Sequence, residues 1–216
     1  MPVFLFKWVN IRSTLTILRV SIADVKREVI RIAVTGHRFI VTHNDITTSI
    51  QKVLDRVIQD YPGAEYHLLS ALSEGSDQFV VRIALQNKEI KLIVPLPLPE
   101  EQYLLNFKTE EGRKKFTQLF KIAYQVIRLT ENSNHDTAYD YLASYLIDQC
   151  HVLIALWIGE SSGKRGGTGE VGKKALNAGR LVYWIYLDNL RDGALNSQSQ
   201  LRKSGEIQVL GSNRDS

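Results

Sequence analysis

The sequence predicts an α/β fold: a doubly wound, mainly parallel sheet built as a single domain. Three observations predict it. Short apolar runs of the kind that form buried strands alternate with amphipathic stretches about six times along the chain. The polar, glycine-bearing stretches all follow apolar runs. The length of 216 residues and a hydrophobic content of 44% suit one domain with a real core.

Residues 1–27 are apolar but interrupted by Lys7, Arg12 and Arg19. No run reaches membrane-spanning length, the charges break a would-be signal core, and no clear A-x-A site follows. This stretch reads as an extension outside the core fold. The domain proper is expected over residues 28–188. Residues 29–34 are β-branched and apolar and form the first strand of that domain, leading into Thr35, Gly36, His37 and Arg38. Asn44 or Asp45 caps a helix running to about Asp60, with Ile46, Ile50, Val53, Leu54 and Ile58 on one face. Tyr61, Pro62 and Gly63 break it.

Residues 66–69 form a short strand, residues 70–77 the loop after it, and residues 79–86 a helix with Val80, Ile83 and Ala84 inward. Residues 90–96 form a third strand, ended by prolines at 95, 97 and 99. Residues 100–112 are polar and aromatic. Residues 113–124 form an amphipathic helix and residues 125–129 a strand. Asp136 can cap a helix through Gln149 that carries Tyr139, Leu142, Tyr145 and Leu146. Residues 152–158 read as a buried strand, 159–167 as a glycine-rich loop, 168–178 as a helix stopped by Gly179, and 181–187 as a last strand. Residues 189–216 are rich in Ser, Asn, Gln and Arg and are expected to stay a flexible polar tail.

The totals bound the chemistry. A formal charge of +4 fits an anionic small ligand and is too weak to argue for nucleic acid. Cys150 is the one cysteine, so an intrachain disulfide and a cysteine-based metal site are both excluded, and the cytoplasm is the expected compartment. His43, His67, His135 and His151 lack ligand-like spacing, so no metal is expected.

In a doubly wound sheet, ligands bind at the carboxyl ends of the strands near the switch point. The loop ending at residue 169 is the most suggestive of those ends. The first N–H groups of a helix lack partners and carry partial positive charge. Gly166, Gly167 and Gly169 let an anion approach them, and Lys164 and Arg165 add full charges. The stretch is neither a Walker loop nor a G-x-G-x-x-G fingerprint. It reads either as a phosphate cradle or as a surface turn that needs glycine.

Taken together, V-T-G-H-R (34–38), S-A-L-S-E-G-S-D-Q (70–78), P-L-P-L-P (95–99) followed by Tyr103, L-I-A-L-W-I-G (153–159) and G-G-T-G-E-V (166–171) resemble the SLOG superfamily. This Rossmann-like group includes phosphoribohydrolases ("lysine decarboxylase-like" proteins), the core of DNA-processing protein A, and sensor domains of bacterial anti-phage defence. The resemblance implies a site for a nucleotide or nucleotide-derived ligand. Thr35, Gly36, His37 and Arg38 match the first loop, Ser70, Glu74, Gly75 and Asp77 the second, and Gly166, Gly167, Thr168 and Glu170 the phosphate turn, beside Gly159 and Gly169. The chain departs from the pattern at Ser73, Ser76 and Gln78, and at Ile158, where related chains carry an acid.

Each residue carries a rival reading. Arg38 is a bidentate phosphate ligand or a surface ion-pair partner. His37 donates to a ligand or pins its loop. Glu74 and Asp77 cap a helix or accept from ribose hydroxyls. Glu170 sits in a different register from the phosphoribohydrolase glutamate, so that role does not transfer. Trp157 and Tyr103 stack on a base or fill core. The expectation is a sensor that binds a nucleotide-type small molecule, needs no cofactor, does not enter a membrane, and signals to an effector protein or through a homo-oligomer. The alternative is a nucleotide N-glycosidic hydrolase assisted by Glu170 or Glu74. A DNA-binding protein of the DNA-processing type is the third reading, with little support from the charge.

Overall fold

The computed structural model describes residues 4–11, 14–21, 27–38, 40, 43–130, 135–159, 167–188 and 202–211. Two short strands, β1 (Phe4–Ile11) and β2 (Thr14–Ser21), pair antiparallel as a separate two-stranded sheet. The main sheet has seven strands. In chain order they are β3 (Val29–Gly36), β4 (Glu65–Leu69), β5 (Ile90–Leu96), β6 (Gln125–Arg128), β7 (Val152–Trp157), β8 (Leu181–Tyr186) and β9 (Ile207–Leu210). In space they run β6-β5-β4-β3-β7-β8-β9, all parallel except β9 against β8. This is a Rossmann-like α/β domain, as the alternation of apolar runs predicts.

The helices follow from their apolar stripes. Helix α1 (Asn44–Asp60) buries Ile46, Ile50, Val53, Leu54 and Val57 on one face. Helix α2 (Ser76–Ala84) packs against α1 and also against α4 (Glu110–Lys121). Helix α5 (His135–Gln149) packs against α6 (Thr168–Asn177). Right-handed crossovers place α1, α2 and α4 over one face of the sheet and α5 and α6 over the other. The central strands are therefore covered twice: Ile30, Ile32, Ala33 and Val34 of β3 and Val152 to Leu156 of β7 are all buried.

The chain moves outward from β3 through β6, then returns to lay β7 on the other side of β3. The switch point is the β3–β7 junction. The loops after β3, β4, β5 and β7 all emerge on one edge, and so does the amino end of α5.

Boundaries shift where polar residues are buried. Helix α2 starts at Ser76 rather than Phe79, because Ser76, Asp77 and Gln78 are buried polar residues that break the apolar pattern. Helix α4 starts at Glu110 because Thr109 caps it, accepting from the Gly112 N–H at 2.9 Å. A short helix, α3 (Glu100–Leu104), lies inside the stretch read only as polar and aromatic. The expected polar tail contains β9. The edge of β8 supplies the missing partners: Tyr183 pairs with Val209 and Ile185 with Ile207. The Ser49 hydroxyl also donates to the Gly205 carbonyl, tying the strand's approach to α1.

Candidate functional site

The loops after β3 and β4 are stitched together. The Ser76 N–H and hydroxyl both donate to the His37 carbonyl, at 3.0 and 2.9 Å. This engages the first turn of α2 from within the fold. A side chain at Gly75 (φ 88°) would collide with the Arg38 carbonyl, and one at Gly36 with Ser76. These two glycines exist for chain crossing. His37 reaches the other way. Its N–H donates to the Leu156 carbonyl at 3.2 Å, and its Nε2 accepts from the Ile158 N–H at 3.4 Å. That acceptor role requires a neutral ring, and burial holds the His37 pKa below the usual histidine value. His37 therefore ties β3 to β7 across the switch point, the pinning role of its two readings. Thr35 lies in β3 itself, opposite Ala155.

The two acids of the second loop have separate duties. Glu74 is 7% exposed and braces Thr109, the capping residue of α4, a helix 36 residues further on, rather than capping the helix beside it. Its Oε2 accepts from the Lys108 N–H at 2.6 Å; its Oε1 accepts from the Thr109 N–H at 2.9 Å and hydroxyl at 2.6 Å. Burial opposes the charge, but those donors and the nearby Arg38 outweigh it and hold the Glu74 pKa low. Asp77 is 6% exposed in the first turn of α2, and it accepts from the Ser70 hydroxyl at 3.0 Å. Here burial wins over the Ser70 and Ser73 hydrogen bonds, and its pKa is pushed up to about 6. Ser70, fully buried, also accepts from the Leu72 N–H at 3.1 Å. Leu72 has φ 59°, a left-handed backbone rare for leucine. Gln78 donates to the carbonyls of Leu72 and Gly112 at 3.1 and 2.9 Å. The second loop is thus a rigid polar knot.

Above that knot lies a small cleft, open to solvent. Arg38 and Tyr139 form one side, Ser73 and Glu74 another, and Tyr103 and Asn106 a third. The Arg38 guanidinium lies 6.0 Å from the Tyr139 ring centre. Tyr103 comes from α3 and Tyr139 from α5. Spacing could not place either beside Arg38.

The glycine-rich turn divides. Gly159, φ 93°, ends the run after β7. Gly166, with Lys164 and Arg165, lies outside the described residues. Gly167 is the N-cap of α6, with extended backbone (φ −70°, ψ 155°) and no side-chain cap. Thr168 is the first residue of the helix. A Cβ on Gly169 would stand 2.6 Å from the Trp157 ring, so Gly169 serves close helix–strand packing. Trp157 itself packs on Trp184, at 5.1 Å between centres, and its carbonyl accepts from the Trp184 indole at 2.8 Å. It is structural. Glu170 forms an ion pair with Lys174 at 2.7 Å along the helix.

The fold therefore brings Arg38, Ser73, Glu74, Tyr103 and Tyr139 together at one cleft, and sets Gly167, Thr168 and His37 at the switch point. It withdraws Ser70 and Asp77 into the interior. Among the described residues there is no cluster that could hold a metal ion, and no helix is long and apolar enough to cross a membrane. No protein-family model matches the chain, and no curated protein matches it.

Proposed function

We propose that this chain binds a nucleotide-derived, phosphate-bearing ligand across the carboxyl edge of its sheet, and that it acts as a sensor. One observation carries the reading: two anion-seeking groups flank the switch point. Exposed Arg38 follows β3, and the amino end of α6, whose N-cap Gly167 has no side chain to cap it, follows the neighbouring β7. The resemblance to the SLOG superfamily points to the same edge and adds a bacterial signalling or defence setting. Binding is favoured over hydrolysis because the two glutamates a hydrolase would recruit are engaged. Glu74 holds Lys108 and the capping residue Thr109 of α4, and Glu170 pairs with Lys174. Occupancy would pass to an effector protein or to a second copy of the chain.

The test is thermal shift and calorimetry with AMP, NAD, ADP-ribose and cyclic nucleotides, with recovered ligand checked by chromatography. A ligand at a hundredfold excess over Kd stabilises the fold by about 2.7 kcal/mol. Arg38→Ala is expected to weaken binding on the order of tenfold or more, the worth of charged hydrogen bonds. Gly167→Asp is expected to fold well, since extended backbone suits an aspartate N-cap, and to repel phosphate. Equal binding by both folded variants would sink the phosphate assignment. Released base would make the protein a hydrolase.

A further inference from the structure

Strand β6 closes one edge of the main sheet, and among the described residues no strand pairs with its outer side. The ladder fixes which backbone groups face out. The Tyr124 N–H donates to the Leu92 carbonyl of β5, and backbone groups alternate sides along a strand, so those of Gln125 and Ile127 point away from β5. Two N–H donors and two carbonyl acceptors therefore stand on the rim at the spacing of an extended chain.

Edge strands are ordinarily blunted by charges or proline. Here the approach to the strand instead carries Ile122 and Tyr124, 63% and 61% exposed. The Tyr124 ring is held in place: Lys91 Nζ lies 4.5 Å from its centre and the His67 ring 6.0 Å. Exposed apolar side chains beside an open strand edge suit the addition of a further strand.

Charge decides the occupant. Residues 112–130 hold Arg113, Lys114, Lys115, Lys121 and Arg128 and no acid. Lys115 is paired with Glu111 and Lys91 with Glu65, but Lys121 and Arg128, which bracket the strand, are exposed and make no ion pair among the described residues. A second copy fits badly, because antiparallel pairing of two β6 edges would gather Lys121 and Arg128 of both at one seam. A phosphodiester backbone answers the cations and the N–H groups but has no donor for the two carbonyls. An extended acidic peptide answers the cations, the donors and the acceptors together.

We propose that β6 is a docking edge for an acidic, extended segment of a partner protein, which adds as an eighth strand, pairs with the backbone of Gln125 and Ile127, and sets its carboxylates towards Lys121 and Arg128. The surface lies three strands from β3 and stands independently of the nucleotide reading.

The test uses a synthetic peptide of alternating glutamate and valine, and the same peptide with lysine for glutamate, in calorimetry against the full chain, with hydrogen exchange to locate the contact. The glutamate peptide is expected to bind, more weakly as salt rises, and to slow exchange within residues 125–128; the lysine peptide is not. Gln125→Pro removes an outward N–H at the first residue of the strand and no bond to β5. It is expected to melt like the parent and to bind the glutamate peptide about three- to tenfold more weakly. Arg128→Glu is expected to weaken binding about two- to fivefold through charge. If Gln125→Pro folds poorly, Arg128→Glu and the exchange pattern decide alone. Absence of binding by the glutamate peptide, equal binding of the two peptides, equal binding by both folded variants, or protection confined to other parts of the chain would each overturn the proposal. So would a parent that sediments as a dimer and becomes a monomer on Gln125→Pro, which makes a second copy the occupant. Displacement of the glutamate peptide by oligothymidylate would overturn it too, making the edge a nucleic-acid surface.

Discussion

Asp77 is a carboxyl folded where its charge is costly. Ser70 and Ser73 donate to it, yet burial dominates, and its pKa stands at about 6 instead of 3.8. The native state therefore holds a proton that the unfolded chain releases. The stabilisation from this group is fully present below pH 3.8, falls as pH rises towards 6, and is lost above that. Two pKa units are worth about 3 kcal/mol at most. Asp77→Asn keeps an acceptor for the Ser70 hydroxyl and cannot ionise. It is expected to match the parent near pH 4 and to exceed it by about 1–3 kcal/mol at pH 7, read from denaturant midpoints across pH. A variant less stable than the parent at pH 7 would mean that the Ser73 bonds outweigh the burial cost. His37 and His151 act in the opposite sense. Both have pKa values lowered by burial, and the His151 Nδ1 accepts from the Arg31 N–H at 2.9 Å, so each subtracts stability as pH falls below 6.5. They are common to parent and variant, and the difference isolates Asp77.

Helix α6 shows how one residue type serves two ends within a single element. A Cβ at Gly169 would stand 2.6 Å from the Trp157 ring, and that ring also packs on Trp184, so it cannot retreat freely. Gly172, one turn on, has nothing within 4 Å of where its Cβ would be. Alanine at Gly169 is expected to cost about 1–3 kcal/mol by overpacking, despite its better helix propensity. Alanine at Gly172 is expected to add about 0.5–1 kcal/mol, since only propensity changes there. Equilibrium unfolding of the two variants checks the pair, and equal signs would refute this account of the helix. The sequence reading took Gly169 as room for an anion; only the packed Trp157 assigns it to the helix–strand contact. Glu74 makes the same point for α4. A glutamate beside one helix start was read as its cap or as an acceptor from ribose hydroxyls, but the donors it uses lie 34 and 35 residues away.

At the scale of the molecule, the legible parts were those that depend on local pattern. Strands β3 to β8 are apolar runs buried in a two-sided sheet, so period and composition revealed them, and their order as strand–helix units implied one carboxyl edge. What escaped depends on partners distant in sequence. Strand β9 is four residues in a polar stretch and exists because β8 offers an open edge. Tyr103 was read as stacking on a base or filling core, and only the fold sets its ring in the core against Phe107 and Phe116, at the wall of the Arg38 and Tyr139 cleft. The same division between central and peripheral pairing sets how the fold opens. Strands β3 and β7 each have partners on both sides and helices on both faces, so exposing their amides requires breaking the whole sheet. Strands β6 and β9 are four residues long, carry exposed positions and close the two edges. The β1–β2 pair is a sheet of two strands, a unit that is marginal alone in water. Hydrogen exchange followed by mass spectrometry is expected to find amides of residues 32–34 and 153–155 slowest, at the global unfolding free energy, with residues 207–210 and 125–128 opening earlier and residues 4–11 and 14–21 earliest. Protection of residues 4–11 and 14–21 equal to that of β3 would mean that the β1–β2 pair is part of the cooperative core, and would join to one folding unit the two sheets that pairing divides.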